Sequence, residues 1–126
     1  VVDKIKMKGG PMDESILDSV KKSIGLQPDY TEFDSDLILL INGNLMTLVQ
    51  NGIGKEGFRI SGRSEIWSDF FGDYTDVELA KTFVYLKTRI VFDPPTTSAV
   101  LDAYNNEAKE CLWRCLVQVE NGRRSD

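Results

Sequence analysis

Apolar residues recur along this chain at spacings of three and four, interrupted by short clusters of Gly, Pro and Asp, and that rhythm predicts helices. Ile16, Leu17, Val20 and Ile24 share one face of a first, amphipathic surface helix from Asp13 to about Ile24. Asp13 is its expected N-cap and Gly25 its stop. Asp18 precedes Lys22 by four residues, the order that favours an exposed ion pair within one helix. A polar link from Gln27 to Glu32, containing Pro28, leads to a second helix that starts near Asp34 or Ser35 and reaches about Gln50. Leu37, Ile38, Leu40, Ile41, Leu45, Leu48 and Val49 occupy too much of its circumference for a simple amphipath, so it is expected to be central and packed on two sides. Gly43 costs about 1 kcal/mol in a helix interior; either the close approach of another backbone or a local bend would account for it.

Asn51-Gly52-Ile53-Gly54 ends that helix, and Lys55 to Arg63 alternates Phe58 and Ile60 with polar neighbours, the pattern of a short strand or extended loop. Ser64 to Phe71 forms a short helix whose Trp67 and Phe70 or Phe71 seal one end of the core. Thr75 and Glu78 have the spacing of a capping box for a helix running to about Phe92. Its stripe is Leu79, Phe83, Leu86 and Ile90, widened by Val84 and Val91, while Lys81, Lys87 and Arg89 point mainly outward. Phe92-Asp93-Pro94-Pro95 then breaks the rhythm. Two successive prolines cannot continue a helix, and they hold the residue before them extended, so this segment sets the angle between two helices. Thr96, Thr97 or Ser98 caps a last helix to about Glu120, with Leu101, Tyr104, Ala108, Cys111, Leu112, Cys115 and Val119 as its buried seam. The expected fold is all-α: a small bundle of about four to five helices with a loop or short β-hairpin insertion.

At 126 residues the chain has room for one domain with a modest core. Residues 12–126 are that single domain, and residues 1–11 are expected to be an N-terminal extension foreign to the native protein. The run Lys8-Gly9-Gly10-Pro11-Met12 back-translates to a bacterial ribosome-binding site followed by a start codon; a cloning remnant is the alternative. The net charge of −5 and the scattered basic residues leave no stripe for gripping nucleic acid, although an acidic wall does not hinder passing DNA. The longest apolar run, Leu37 to Ile41, is far short of the ~20 residues of a membrane span. The first residues hold no apolar signal region, so no membrane role or export is expected.

Chemistry is scarce. Without a histidine the chain lacks the commonest general base and the commonest transition-metal ligand. Gly52, Gly54 and Gly57 lack the terminal Gly-Lys-Ser/Thr of a phosphate loop. Cys111 and Cys115 lie one helical turn apart on the apolar seam with no third or fourth ligand for zinc, so two reduced, buried thiols are expected. The acidic clusters Asp29, Glu32, Asp34, Asp36 and Asp69, Asp73, Asp76, Glu78 lack the spacing of a calcium loop. Helix first turns explain much of both, and a small metal-dependent nuclease using Asp34 or Asp76 is the alternative function. No catalytic, cofactor or metal residue is assigned. Arg89 and Arg114 stand in apolar helices, and two readings of them are open: either pairs with a carboxylate such as Asp93 or Glu110, within the chain or across a subunit boundary, or both belong to a solvated helix face.

Several runs together carry a family resemblance. They are Ile16-Leu17-Asp18-Ser19-Val20-Lys21-Lys22, Phe33-Asp34-Ser35-Asp36, Ile41-Asn42, Gly52-Ile53-Gly54, Trp67, Tyr85-Leu86-Lys87, Phe92-Asp93-Pro94-Pro95 and Trp113-Arg114. In this order and spacing, from about Met12 to Val119, the chain resembles the tailed-phage head-tail connector (adaptor) proteins. Cys115 departs from the leucine expected after Trp-Arg. The resemblance implies a mostly helical, non-enzymatic subunit that forms a homo-oligomeric ring, commonly about twelvefold. Such a ring sits below the portal protein and above tail-completion or tail-terminator proteins, and it leaves a channel through which DNA passes as cargo. It also implies a place in the virion neck, and in the host bacterial cytoplasm during assembly. The helix after Thr96 and the tail Gly122 to Asp126, expected to order on binding, are the regions implied to contact the portal. The interface candidates are Arg89, Asp93, Pro94, Pro95, Trp113, Arg114, Arg123 and Arg124.

Overall fold

A computed structural model of the chain describes residues 13–74 and 77–125, with side chains through Asn121. The N-terminal extension therefore lies outside the described residues, as do Thr75, Asp76 and the side chains of Arg123 and Arg124. Among the described residues five helices follow one another: α1 Ile16–Ser23, α2 Asp34–Gln50, α3 Trp67–Phe71, α4 Glu78–Phe92 and α5 Ser98–Ser125. The insertion between α2 and α3 is a loop and not a hairpin. Its one element of pairing is an isolated antiparallel bridge between Ser15 and Ile66.

Helix α1 starts later than its apolar pattern suggests. Ser15, not Asp13, is the N-cap, its hydroxyl accepting from the Asp18 amide at 3.2 Å. The segment before α3 holds this start in place: the Ile16 amide donates to the Glu65 carbonyl at 3.0 Å and the Trp67 amide to the Glu14 carbonyl at 3.3 Å. Gly25, at φ +87°, supplies the left-handed residue that ends the helix. The helix is also more buried than a surface amphipath, because Ser19 and Lys21 join Ile16, Leu17 and Val20 inside. The expected Asp18–Lys22 pair does not form. Arg63, reaching from the loop, takes both oxygens of Asp18 at 2.9 and 3.0 Å, and Lys22 turns to Glu14 at 2.9 Å.

Lys21 is wholly buried, and its ammonium donates to the Pro28 carbonyl and to Asp34 Oδ1, each at 2.8 Å. One side chain thereby ties α1, the polar link and the first turn of α2 together. A buried ammonium is tolerable only when its donors are matched in this way. Asp34 is thus an ion-pair partner, while the capping position of α2 is Phe33, with no side-chain cap.

Helix α2 contributes Leu37, Ile41, Leu45 and Leu48 to a core completed by Ile16, Leu17 and Val20 of α1, by Trp67 and Phe70 of α3, and by Phe83 and Val84 of α4. Each such side chain, fully buried, is worth roughly 1.5–3 kcal/mol. The amide of Asn42 holds the loop as a strand would, accepting from the Ile60 amide at 2.8 Å and donating to the Ile60 carbonyl at 3.0 Å. Gly43 is open: a Cβ there would meet nothing within 4 Å, so no other part of the described chain approaches it. The demanding glycine is Gly54, at φ +94°, where any Cβ would run into the ring of Phe70.

Helix α4 begins at Glu78 with Val77 in the capping position and no side-chain cap. Its buried face is Ala80, Lys81, Phe83, Val84 and Thr88, rotated from the predicted stripe, so that Leu79, Leu86 and Ile90 are half-buried. Lys81, expected outside, packs with its ammonium 5.7 Å from the centre of the Trp67 ring. Residues 93–97 turn the chain, and α5 returns along α4, the two helices in most extensive contact in the bundle. Helix α5 continues through Ser125, past the expected end near Glu120. Of its predicted seam, Ala108, Cys111 and Cys115 are buried, while Leu101, Tyr104, Leu112 and Val119 are half-buried. Burial pushes the Cys111 thiol up to about 11, with Glu107 adding to the effect, so it stays neutral near pH 7.

Candidate assembly surfaces

The proline break forms a shallow cleft. Pro94 and Pro95 cannot extend α4, and Thr97 caps α5, its hydroxyl accepting from the Val100 amide at 3.3 Å and its carbonyl from the Leu101 amide at 3.0 Å. Between these two ends lies an opening of about 300 Å³, lined chiefly by Arg89, Asp93, Pro94, Pro95, Val100 and Tyr104. Just before the cleft, Phe92 packs edge-on against Phe33 at 5.1 Å, and Phe33 meets Tyr30 at 5.9 Å. Arg89 donates from Nε to the main-chain carbonyl of Asp93 at 3.3 Å, and its guanidinium lies 5.6 Å from the Tyr104 ring centre. The arginine is therefore held by a backbone oxygen and an aromatic ring, and not by the Asp93 carboxylate.

A second surface lies further along α5. Trp113 is 62% exposed and shares a groove of about 320 Å³ with Leu116, Val117, Glu120 and Asn121. Trp113 and Val117 are four residues apart and so stand one above the other on the helix surface. Arg114, next to Trp113, is exposed and enters no ion pair among the described residues. On α2, Leu39 (72% exposed) and Met46 (55%) flank the open Gly43, giving a third apolar strip.

The structure thus gathers four of the sequence candidates, Arg89, Asp93, Pro94 and Pro95, at the cleft and sets Trp113 and Arg114 apart from them. Arg123 and Arg124 fall in the last turn of α5. Sequence reasoning missed Val100, which lines the cleft, and it assigned Tyr104 wholly to the core seam. It also missed Val117 beside Trp113, which the i+4 spacing alone could have found. Among the described residues, which do not include Asp76, no three His, Cys, Asp or Glu side chains lie together so that they could hold a metal ion. Asp34 is instead spent on Lys21. Among the described residues no helix is long and apolar enough to cross a membrane.

The fold is that of a small all-α helical bundle. The chain belongs to the phage connector proteins: the model of that family matches residues 16–122, from the first residue of α1 almost to the end of α5. No curated protein and no solved structure matches it. Its role is that of a structural component among the head and tail parts of a phage.

Proposed function

We propose that this chain is the head-tail adaptor of a tailed phage or prophage, a subunit of a ring that joins the portal protein to the tail and leaves a channel for DNA. The observation that carries the reading is the family match over residues 16–122. Exposed Trp113 on α5 supports it, since an exposed tryptophan beside an arginine is the composition of an interface hot spot. The net charge of −5 suits a channel wall that DNA must pass without being held. The partners on this reading are further copies of the chain, the portal protein and tail-completion proteins; the candidate contacts are Arg89, Asp93, Pro94, Pro95, Trp113, Arg114 and the last turn with Arg123 and Arg124. Assembly takes place in the bacterial cytoplasm and the product resides in the virion neck.

Deleting the gene should yield filled or leaking heads without tails when particles are viewed by negative-stain electron microscopy. Normal infectious tailed particles would defeat the proposal. Changing both Pro94 and Pro95 to Ala should leave the circular dichroism of the helices largely intact and lower the yield of tailed particles, because the angle between α4 and α5 is no longer fixed.

A further inference from the structure

The two openings at α5 stand in a definite relation to each other. Tyr104 in the cleft and Trp113 in the groove are nine residues apart on one continuous helix, which is about two and a half turns and about 13 Å of rise. A half-integral number of turns sets the two side chains on opposite sides of α5. Val100, thirteen residues from Trp113, likewise lies well away from its side.

From this arrangement we propose that Trp113 of one copy seats in the Arg89–Pro94–Pro95–Tyr104 cleft of the next, with Arg114 of the first copy paired to the Asp93 carboxylate of the second. The inference rests on the ring reading above and names its subunit contact. The chemistries match. The cleft offers two proline rings and a guanidinium already held against an aromatic face, all good neighbours for an indole. Charges also match at its rim: Asp93 is exposed and in no ion pair among the described residues, and so is Arg114. The occupant is a second copy because one chain carries both halves of the contact.

The proposed contact also implies a type of assembly. A two-fold dimer would have to bring both halves of each copy to the same interface, and surfaces on opposite sides of one helix cannot meet that condition. Each copy instead gives its tryptophan to one neighbour and its cleft to the other, a head-to-tail contact that makes a ring when the rotation closes. A pure rotation has no rise, so the offset of about 13 Å between tryptophan and cleft requires α5 to lean relative to the ring axis.

The test is complementation of the connector-deleted phage with the full chain carrying Arg114→Asp, Asp93→Arg, both together, or Trp113→Ala, scored as tailed particles. Urea unfolding of each purified variant is the control for folding. Each single reversal and the tryptophan variant should lower the yield at least about tenfold, and the double reversal should return it to within about threefold of the native chain, since the pair is restored with its order exchanged. A double variant no better than the single ones overturns the contact, as it would if the cleft received the portal instead. Single variants at native yield, in a phage that is tailless without the chain, overturn the contact and leave the connector role standing. A deletion strain with normal tails removes the ring reading itself, and this contact with it.

Discussion

The two tryptophans of this chain occupy opposite surroundings. Trp67 is fully buried: its indole N–H donates to the Ser19 hydroxyl at 2.8 Å, Phe71 stacks on it at 5.6 Å, and the ammonium of Lys81 lies over its ring. Trp113 stands on the outer side of α5, beside Leu116 and Val117. The region around Trp67 extends through Ser19 and Lys21 to Asp34 and the loop, and among the described residues no buried side-chain N or O there or elsewhere lacks a hydrogen-bond partner. The difference teaches that residue type does not decide burial in this protein. Lysines lie inside where partners are fixed for them, and a tryptophan lies outside where the chain offers no cover. The first region is completed by the chain itself; the second is left exposed by it.

The strongest way to break the contrast is to truncate both rings. Trp67→Ala should cost about 4 kcal/mol, because a large buried side chain leaves a cavity and orphans the Ser19 contact; a shift of the urea midpoint measures it. Next comes the clamp. Asp34→Ala should cost about 3 kcal/mol by leaving a buried ammonium without its carboxylate. Lys21→Met should cost visibly less in the same titration, since the stem volume is kept and Asp34 retains some access to water. If the two changes cost the same, the clamp acts by packing and not by charge. Asn42→Ala, which strips both main-chain groups of Ile60 of their partner, should cost about 2 kcal/mol and raise hydrogen exchange in residues 58–62.

A smaller effect is expected at Glu65. Burial alone would raise its carboxyl, but hydrogen bonds from the Ser61 hydroxyl and from the Ser61 and Gly62 amides outweigh burial and hold it below its ordinary value. A carboxylate lowered in the folded state binds fewer protons there than in the unfolded chain. Its contribution is therefore full above the ordinary value of 4.5 and is lost as pH falls through the lowered one. Glu65→Gln should flatten stability over that acid window and leave the neutral region little changed. Least of all, Trp113→Ala should alter stability by no more than about 0.5 kcal/mol. In the Trp113→Phe variant, acrylamide should quench the remaining fluorescence weakly, because that emission comes from Trp67 alone.

Where the controlling chemistry is local, the sequence was legible. The span of α2 and the break between Phe92 and Ser98 follow from apolar spacing and from proline, which act within a few residues. Trp67 with Phe70 or Phe71 is legible as a core seal from the same local pattern, and the structure buries all three. Lys21 and Lys81 were not legible as buried residues: what shelters them is the Pro28 carbonyl, the Asp34 carboxylate and the Trp67 ring, each from another segment. Asp18 likewise had a suitable lysine on its own helix and was taken by Arg63, 45 residues away, whose planar fork reaches both its oxygens. At the candidate surfaces, Arg89 with the proline segment and Trp113 with Arg114 could be named from the chain alone. That Arg89 and the proline segment close a cleft with Tyr104 and Val100 required the returning helix to be in place.

By itself, then, the sequence determined the helices, the hinge between the last two and the connector family, because backbone preference, hydrophobic period and motif order are properties of neighbouring residues. Only the tertiary structure decided which lysines are buried, which carboxylate each cation meets and which tryptophan is left outside. Those outcomes depend on partners distant along the chain, and an ionic or aromatic side chain settles wherever its desolvation is best repaid once those partners have come together.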